Sequence, residues 1–390
     1  LKGSATLTAT PAIDALHRLD LAEAARSPFT IETKLAADQT AVMQRLLGLD
    51  RVASVRDGPA QVEASIAGAW RAPLRVKARL AGAGFDGAIQ GSGNPWAEPP
   101  AAEGTVTLRE ADLAALFGLK PASVPALGIG LKSRVAIAGD TATLEGIDGT
   151  AGGARLRGRL VLTRGEEIGV DGEVGFDRPD LAAVTGLAFG AAGHDASEPL
   201  HRGWLRGWHG RLAFEALSAP LPGGAELRSF GGVLKGDGQS LMLENAKGSL
   251  GGGEATLALD ARQAADGTAF NARLQVSGAD GAALRYRGLA LPQGKAALQM
   301  TLAGHRRSAA GLAGALSGAG ALTLTDAHLG GFDPRAFEAA IRASDAGQAT
   351  DDAALKTIVA PVLEPGTVTV PSAQLPFIIK DGRLRVEAAT

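Results

Sequence analysis

The chain has 390 residues, more than one hydrophobic core usually serves, and its 54 glycines with only 4% aromatics favour many short strands over a large enzyme core. Its 39 basic and 41 acidic side chains leave a formal charge of -2, so no global field recruits nucleic acid. The absence of cysteine excludes disulfides, thiolate chemistry and Cys-ligated zinc, and it suits an oxidising compartment.

Taken in chain order, the first element is a strand, Ala5-Thr-Leu-Thr-Ala9, with no charged n-region or apolar h-region before it. Any signal or anchor is therefore expected outside these residues. Phe29, Ile31, Thr33 and Leu35 then alternate with Thr30, Glu32 and Lys34, which predicts a strand with one apolar and one wet face. A short helix is predicted from Met43 to Leu49. Leu74, Val76, Ala78 and Leu80 alternate with Arg75, Lys77 and Arg79 in a second clear strand.

Asp112-Leu-Ala-Ala-Leu-Phe-Gly-Leu119 and Asp180-Leu-Ala-Ala-Val-Thr-Gly-Leu187 are near-copies. Asp is a good N-cap and Gly a good stop, so each is predicted as a one- or two-turn helix between strands. Between them, Leu131, Ser133, Val135 and Ile137 flank Lys132 and Arg134, while Leu156, Gly158, Leu160 and Leu162 alternate with Arg155, Arg157 and Arg159. A second internal similarity links Leu144-Glu-Gly-Ile-Asp-Gly-Thr-Ala-Gly-Gly153 to Leu243-Glu-Asn-Ala-Lys-Gly-Ser-Leu-Gly-Gly252. Each precedes a new strand, so both predict strand, Gly-rich reversal, strand, repeated along a quasi-linear stack of hairpins.

The stretch from about Asp195 to Gly210 breaks the alternation. It is taken as the junction between an N-terminal β-repeat block, 1–195, and a C-terminal block, 196–390. His194, His201 and His209, with Asp195, Glu198, Trp204 and Trp208, gather around it, but their spacing matches no compact metal motif. Exposed linker histidines and packing tryptophans are the expectation. Trp204 to Trp208 is either an interfacial turn on a membrane or, as such pairs more often are, the cap of a strand stack. Further on, Ser308 to Thr325 is uncharged but mostly Ala, Gly, Ser and Thr, too weakly apolar for the roughly 20-residue span a bilayer demands. It is expected to be a Gly-rich turn between strands. A last helix is predicted from Pro334 to Ser344, and Leu384 and Val386 alternate with charged residues up to the end of the chain.

Catalytic chemistry is hard to find. There is no Gly-x-Ser-x-Gly elbow, glycine runs such as Gly251-Gly-Gly253 lack the Lys-Ser/Thr of a phosphate loop, and the carboxylate pairs Glu166-Glu167 and Asp351-Asp352 sit in turn or helix-start contexts. A sugar-processing β-solenoid would need a row of carboxylates on one face, which is missing. No enzyme, cofactor or metal site is expected.

From Trp204 to about Ser344 the chain resembles the C-terminal region of AsmA-like proteins. The resemblance is carried by Gly210-x-Leu212-x-Phe214-x-Ala216, by Leu250-Gly-Gly-Gly253 with Leu257-x-Leu259-Asp260, by Gly294-x-x-x-Leu298-x-x-x-Leu302-x-Gly304, and by Leu316-Ser-Gly318-x-Gly320-x-Leu322-x-Leu324-x-Asp326 leading into Leu329-Gly-Gly-Phe-Asp333. Ala327 departs from the pattern, which would have Gly after Asp326. The resemblance implies a non-enzymatic periplasmic module of an inner-membrane-anchored bacterial protein, related to TamB-type bridge-like lipid transfer proteins. It would act in outer-membrane biogenesis by binding or conducting phospholipid, with envelope assembly proteins as further partners.

The expected fold is mainly β, an elongated repeat-built antiparallel sheet curled into a groove with short helices between repeats. The expected groove lining is Leu74, Val76, Leu80, Val135, Ile137, Leu156, Leu160, Leu162, Leu257, Leu259, Leu298 and Leu302, with the arginines and lysines between them in solvent. The same alternation would also build a closed sandwich whose apolar faces pack together, serving as a scaffold without lipid.

Overall fold

The computed structural model describes residues 1–10, 27–47, 58–82, 84–112, 128–188, 196–197, 199–200, 207–221, 224–286, 289–330, 333–348, 351–363 and 366–387. Its strands are β1 (Lys2–Ala9), β2 (Phe29–Ala37), β3 (Ala60–Gly68), β4 (Leu74–Gly82), β5 (Phe85–Asn94), β6 (Ala101–Asp112), β7 (Gly128–Ala138), β8 (Thr141–Ala151), β9 (Ala154–Thr163) and β10 (Ile168–Phe176). After the junction come β11 (Trp208–Pro220), β12 (Glu226–Asp237), β13 (Ser240–Leu250), β14 (Gly253–Ala264), β15 (Gly267–Asp280), β18 (Gln293–Arg306), β19 (Ser317–Gly330), β20 (Thr367–Lys380) and β21 (Arg383–Val386). The two-residue strands β16 (Arg285–Tyr286) and β17 (Leu289–Ala290) form a separate small hairpin.

The 19 long strands make one sheet in which each pairs with its neighbours in sequence. All the ladders are antiparallel except β10–β11, which is parallel. β1 and β21 are not paired with each other, so the sheet is open. The strands before and after the expected block junction therefore share one continuous sheet, with the parallel ladder between them. Parallel neighbours need a crossover rather than a tight turn, which is why the alternation breaks between them.

Among the described residues, five short α-helices punctuate the strands: α1 (Thr40–Leu47), α2 (Leu181–Ala188), α3 (Ala309–Gly314), α4 (Arg335–Asp345) and α5 (Asp352–Leu363). The Asp180 carboxylate accepts the N–H groups of Ala182 and Ala183, so α2 begins where its Asp predicts. Its near-copy at Asp112–Leu119 lies beyond the described residues except for Asp112, which ends β6. The stretch expected to be a plain Gly-rich turn after Ser308 instead holds α3, because the Ser308 hydroxyl accepts the Gly311 N–H and nucleates a turn of helix before β19. Helix α5 was not foreseen. The Asp351 carboxylate caps it by accepting the Ala354 N–H, so one of the two paired carboxylates there serves a helix start. Among the described residues no helix is long and apolar enough to cross a membrane.

The duplicated motif is duplicated in three dimensions. β8–β9 and β13–β14 turn through Gly152-Gly153 and Gly251-Gly252, all four at positive φ, the geometry of a two-residue hairpin loop. Each copy also carries a bulge at the same motif position, with Gly146 at φ 59° and Asn245 at φ 52°. Further bulges at Ser229 and Asp326, both left-handed, kink the sheet again, as bulges do. Where the family pattern would place Gly, Ala327 is buried, and Asp326 before it supplies the left-handed residue instead.

Accessible surface separates an open sheet from a sandwich. The chain exposes 23224 Å², whereas a compact monomer of 39.4 kDa would expose about 14,000 Å². That excess, with β1 and β21 not paired with each other, fits an open sheet. The buried residues are mainly small, such as Ala37, Ala60, Ala219, Ala246, Ala261 and Ala279, and they form several local clusters rather than one central core.

Hairpin turns are pinned by carboxylates. Between β12 and β13, Asp237 accepts the Ser240 hydroxyl at 2.7 Å and the backbone N–H groups of Gln239 and Ser240. The Ser240 hydroxyl and these amides hold its carboxyl below the usual range. The bidentate Arg79 guanidinium depresses Asp86, with help from Arg109, and the backbone N–H groups of Arg178 and Arg155 depress Asp177. A carboxyl depressed on folding contributes stability above its ordinary pKa and loses it as pH falls through the depressed value. The urea midpoint should therefore hold from pH 7 to about 5 and drop below about pH 4. Asp237→Asn should lower the midpoint at pH 7 and flatten that drop; an equally steep acid drop in the variant would show that Asp237 contributes nothing to it.

Candidate functional site

Cross-strand register decides which side chains share a face, because opposed residues point to the same side. Followed from the N-terminal edge, one register row runs Leu7, Ile31, Ile66, Val76, Gly91, Gly104, Val135, Leu144, Leu160 and Gly172. It continues through Leu212, Leu234, Leu243, Leu259, Ala272, Leu302, Gly318, Ile379 and Leu384. The row crosses every strand of the sheet, and every member is an apolar residue or glycine. At about 4.8 Å per ladder it is roughly 85 Å long.

The twelve residues expected to line a groove fall on this face. Val76, Val135, Leu160, Leu259 and Leu302 are in the row itself. Leu74, Ile137 and Leu162 belong to a row nearer one end of the strands, opposed through Gly93, Ala102 and Ala142. Leu80 and Leu156 belong to a row nearer the other end, while Leu257 stands opposite Leu274 and Leu298 opposite Leu322. Val135 and Leu156 are buried and the others half-buried. Sequence reasoning missed Ile66, Leu144, Leu212, Leu234 and Leu243, although the same alternation marks them.

Glycines shape the floor. Gly91 and Gly104 oppose each other between Val76 and Val135, and a Cβ on either would run into the backbone of the facing strand. Two strands bare at this row thus form a slot about 14 Å wide between the two valines. Leu160 beside Gly172 and Leu302 beside Gly318 repeat the arrangement of large beside absent side chain.

Within the connection between β10 and β11, helix α2 packs on this face. Leu181, at the start of α2, packs against the cluster containing Ala219, Leu227, Phe230 and Leu243, and Ala188, at its end, is buried with Leu241 and Ala261. Past α2 the chain is tied to the β18–α3 connection: Leu200 N–H donates to the Arg307 carbonyl at 2.6 Å, and Ala310 N–H donates to the Ala196 carbonyl at 2.7 Å. Pro199 also bridges to Ser308. α2 lies on the apolar face beyond the junction, and residues 196–197 and 199–200 form a strap tied to the β18–α3 connection. Trp208 starts β11 with its ring over Gly236, as expected for a tryptophan capping a strand stack; Trp204 lies outside the described residues.

The opposite face is wet. Arg75, Lys77, Arg79, Arg155, Arg157 and Arg159 are all exposed, as expected. Asp86 joins Arg79 at 2.9 Å to Arg109 at 3.3 Å, Asp148 takes Arg155 and Arg157, and Glu145 takes Arg159 at 3.7 Å. Such exposed pairs are worth about 0–1 kcal/mol each and fix register more than stability. A twisted sheet is saddle-shaped, so each face is concave along one diagonal. On the wet face this produces a depression of about 1320 Å³ over β2–β8 and a smaller one of about 420 Å³ over β13–β18.

Of the histidine cluster at the junction, His194, His201, Asp195 and Glu198 lie outside the described residues. His209 is exposed, 4.0 Å from Glu167. Among the described residues no group of three or more His, Asp or Glu could hold a metal ion. No family model, no curated protein and no solved structure matches the chain.

Proposed function

We propose that the chain is a non-enzymatic module of an AsmA-like envelope protein, anchored to the bacterial inner membrane through a segment outside these residues and acting in the periplasm. Its apolar face binds or conducts phospholipid acyl chains in outer-membrane biogenesis. The observation that carries this reading is the unbroken apolar row across 19 strands. An acyl chain in water costs about 0.8 kcal/mol per methylene, so a route between membranes must be continuous. Among the described residues most of the apolar face has no second layer over it, and such a face needs a cover; the slot of glycines between Val76 and Val135 leaves room for one.

Native mass spectrometry of the purified chain tests the reading. Phospholipid is expected to co-purify and to be lost with detergent exchange. A lipid-free chain that instead captures an outer-membrane assembly protein would favour the rival reading, an interaction scaffold without a lipid ligand.

A further inference from the structure

The large depression lies on the face that the lipid reading does not use. Its walls carry Arg75 and Lys77 from β4 and Lys132 and Arg134 from β7; all four are exposed, and none forms an ion pair within 4.0 Å among the described residues. Gln90, Ser92, Thr105 and Thr107 floor it between them. Register brings the walls together: Lys77 opposes Gln90, Gln90 opposes Thr105 and Thr105 opposes Arg134. Three ladders separate β4 from β7, about 14 Å.

Charge does not cancel here as it does over the whole chain. The lining includes the basic residues Lys34, Arg75, Lys77, Arg79, Arg109, Lys132 and Arg134 against the acidic Glu32, Glu63, Glu103 and Glu145. Several are already matched: Glu63 takes Lys34 at 3.8 Å, Glu145 faces Arg134 across β7–β8 but pairs with Arg159, and Asp86 holds Arg79 and Arg109. The four wall cations remain, facing each other over a floor of amide and hydroxyl groups that holds one carboxylate, Glu103, opposite Ser92, in a chain whose formal charge is -2.

We infer that this depression is a docking site for an acidic peptide segment of another protein. Two features select that occupant. An extended peptide rises about 3.4 Å per residue, so carboxylates four residues apart are spaced about 14 Å, matching the two walls. The floor offers amide and hydroxyl groups that can both donate to and accept from a peptide backbone. A flat bilayer would reach the rims of a concave surface and not its floor. The site is independent of the apolar face and stands whether or not that face carries lipid.

The test is fluorescence anisotropy of a labelled hexaglutamate peptide with the full chain at low salt. Lys77→Gln combined with Arg134→Gln should weaken binding at least tenfold, and Glu103→Gln, which removes the carboxylate from the floor, should tighten it severalfold. Arg155→Gln with Arg157→Gln, on the same face but matched by Asp148, should leave it unchanged. Raising salt from about 50 to about 200 mM should also weaken it. Equal binding by the wall variant overturns the proposal, as does binding of inorganic polyphosphate or phosphatidylglycerol vesicles with none of the peptide. Circular dichroism of each variant confirms that the sheet is intact.

Discussion

Val76→Asp combined with Leu160→Asp is expected to abolish crosslinking of phospholipid to a photoreactive residue placed at Leu144. The three positions are members of one register row, with Leu144 opposing both Val135 and Leu160. Roughly four methylenes of an acyl chain cover one strand spacing, contributing about 3 kcal/mol of burial per strand crossed. A carboxylate beneath them would have to lose its water without gaining a partner, which costs several kcal/mol and removes the gain from that strand and its neighbours. Both residues are half-buried in a single layer, so the carboxylates stay hydrated in the lipid-free chain and the sheet should still form. Gln90→Asp, on the wet face, is the control and should leave crosslinking intact. Undiminished capture in the doubly charged variant would sink the lipid reading while leaving the acidic-peptide site on the other face untouched.

Leu241→Ala is expected to destabilise the C-terminal block by about 2–5 kcal/mol, the cost of emptying a well-packed leucine site. Leu241 is 2% exposed, buried with Ala188 of α2 and Ala261 of β14 and bordered by Trp208, Leu234 and Phe270. It is the seat on which the end of α2 rests, so the cavity should also loosen the strap at Ala196 to Leu200. In a sheet where each strand touches only its neighbours, the loss should be local, as in repeat proteins. Hydrogen exchange checks this: protection should fall in β13, β14 and α2 while β3–β5 stay as in the parent chain. Equal loss of protection in β3–β5 would mean that the two blocks unfold as one cooperative unit, and the nearest-neighbour picture would fail.

Taken together, the two faces give the sheet two separable tasks. One face carries an apolar row over its whole length and is partly roofed by the chain's own helix; the other is charged, with four cations lining one depression over β4–β7. Since alternate residues serve opposite faces, a substitution at position i affects one task and at i+1 the other. Val76 and Lys77 are adjacent in sequence and belong to different sites.

The residues alone determined a good deal. Period-2 alternation is a local property of neighbouring side chains, so it marked the strands, placed the twelve residues expected to line a groove on one face and put the arginines of β4 and β9 in solvent. The paired glycines at 152–153 and 251–252 specified their turns, and Asp180 specified the start of α2, because caps and two-residue loops are settled within a few residues. What the alternation could not determine was whether the apolar face meets another sheet, since a leucine packs equally well against either neighbour. Tertiary structure decided that, through the pairing of strands in one open sheet and the bulges at Gly146, Ser229, Asn245 and Asp326 that bend it. It also decided the parallel joint at β10–β11 and the return of α2 over the apolar face, both set by contacts between residues far apart in sequence. The basic depression depends on tertiary structure most of all: Lys77 and Arg134 are more than fifty positions apart, and only three ladders and the twist of the sheet bring them to opposite walls of one site.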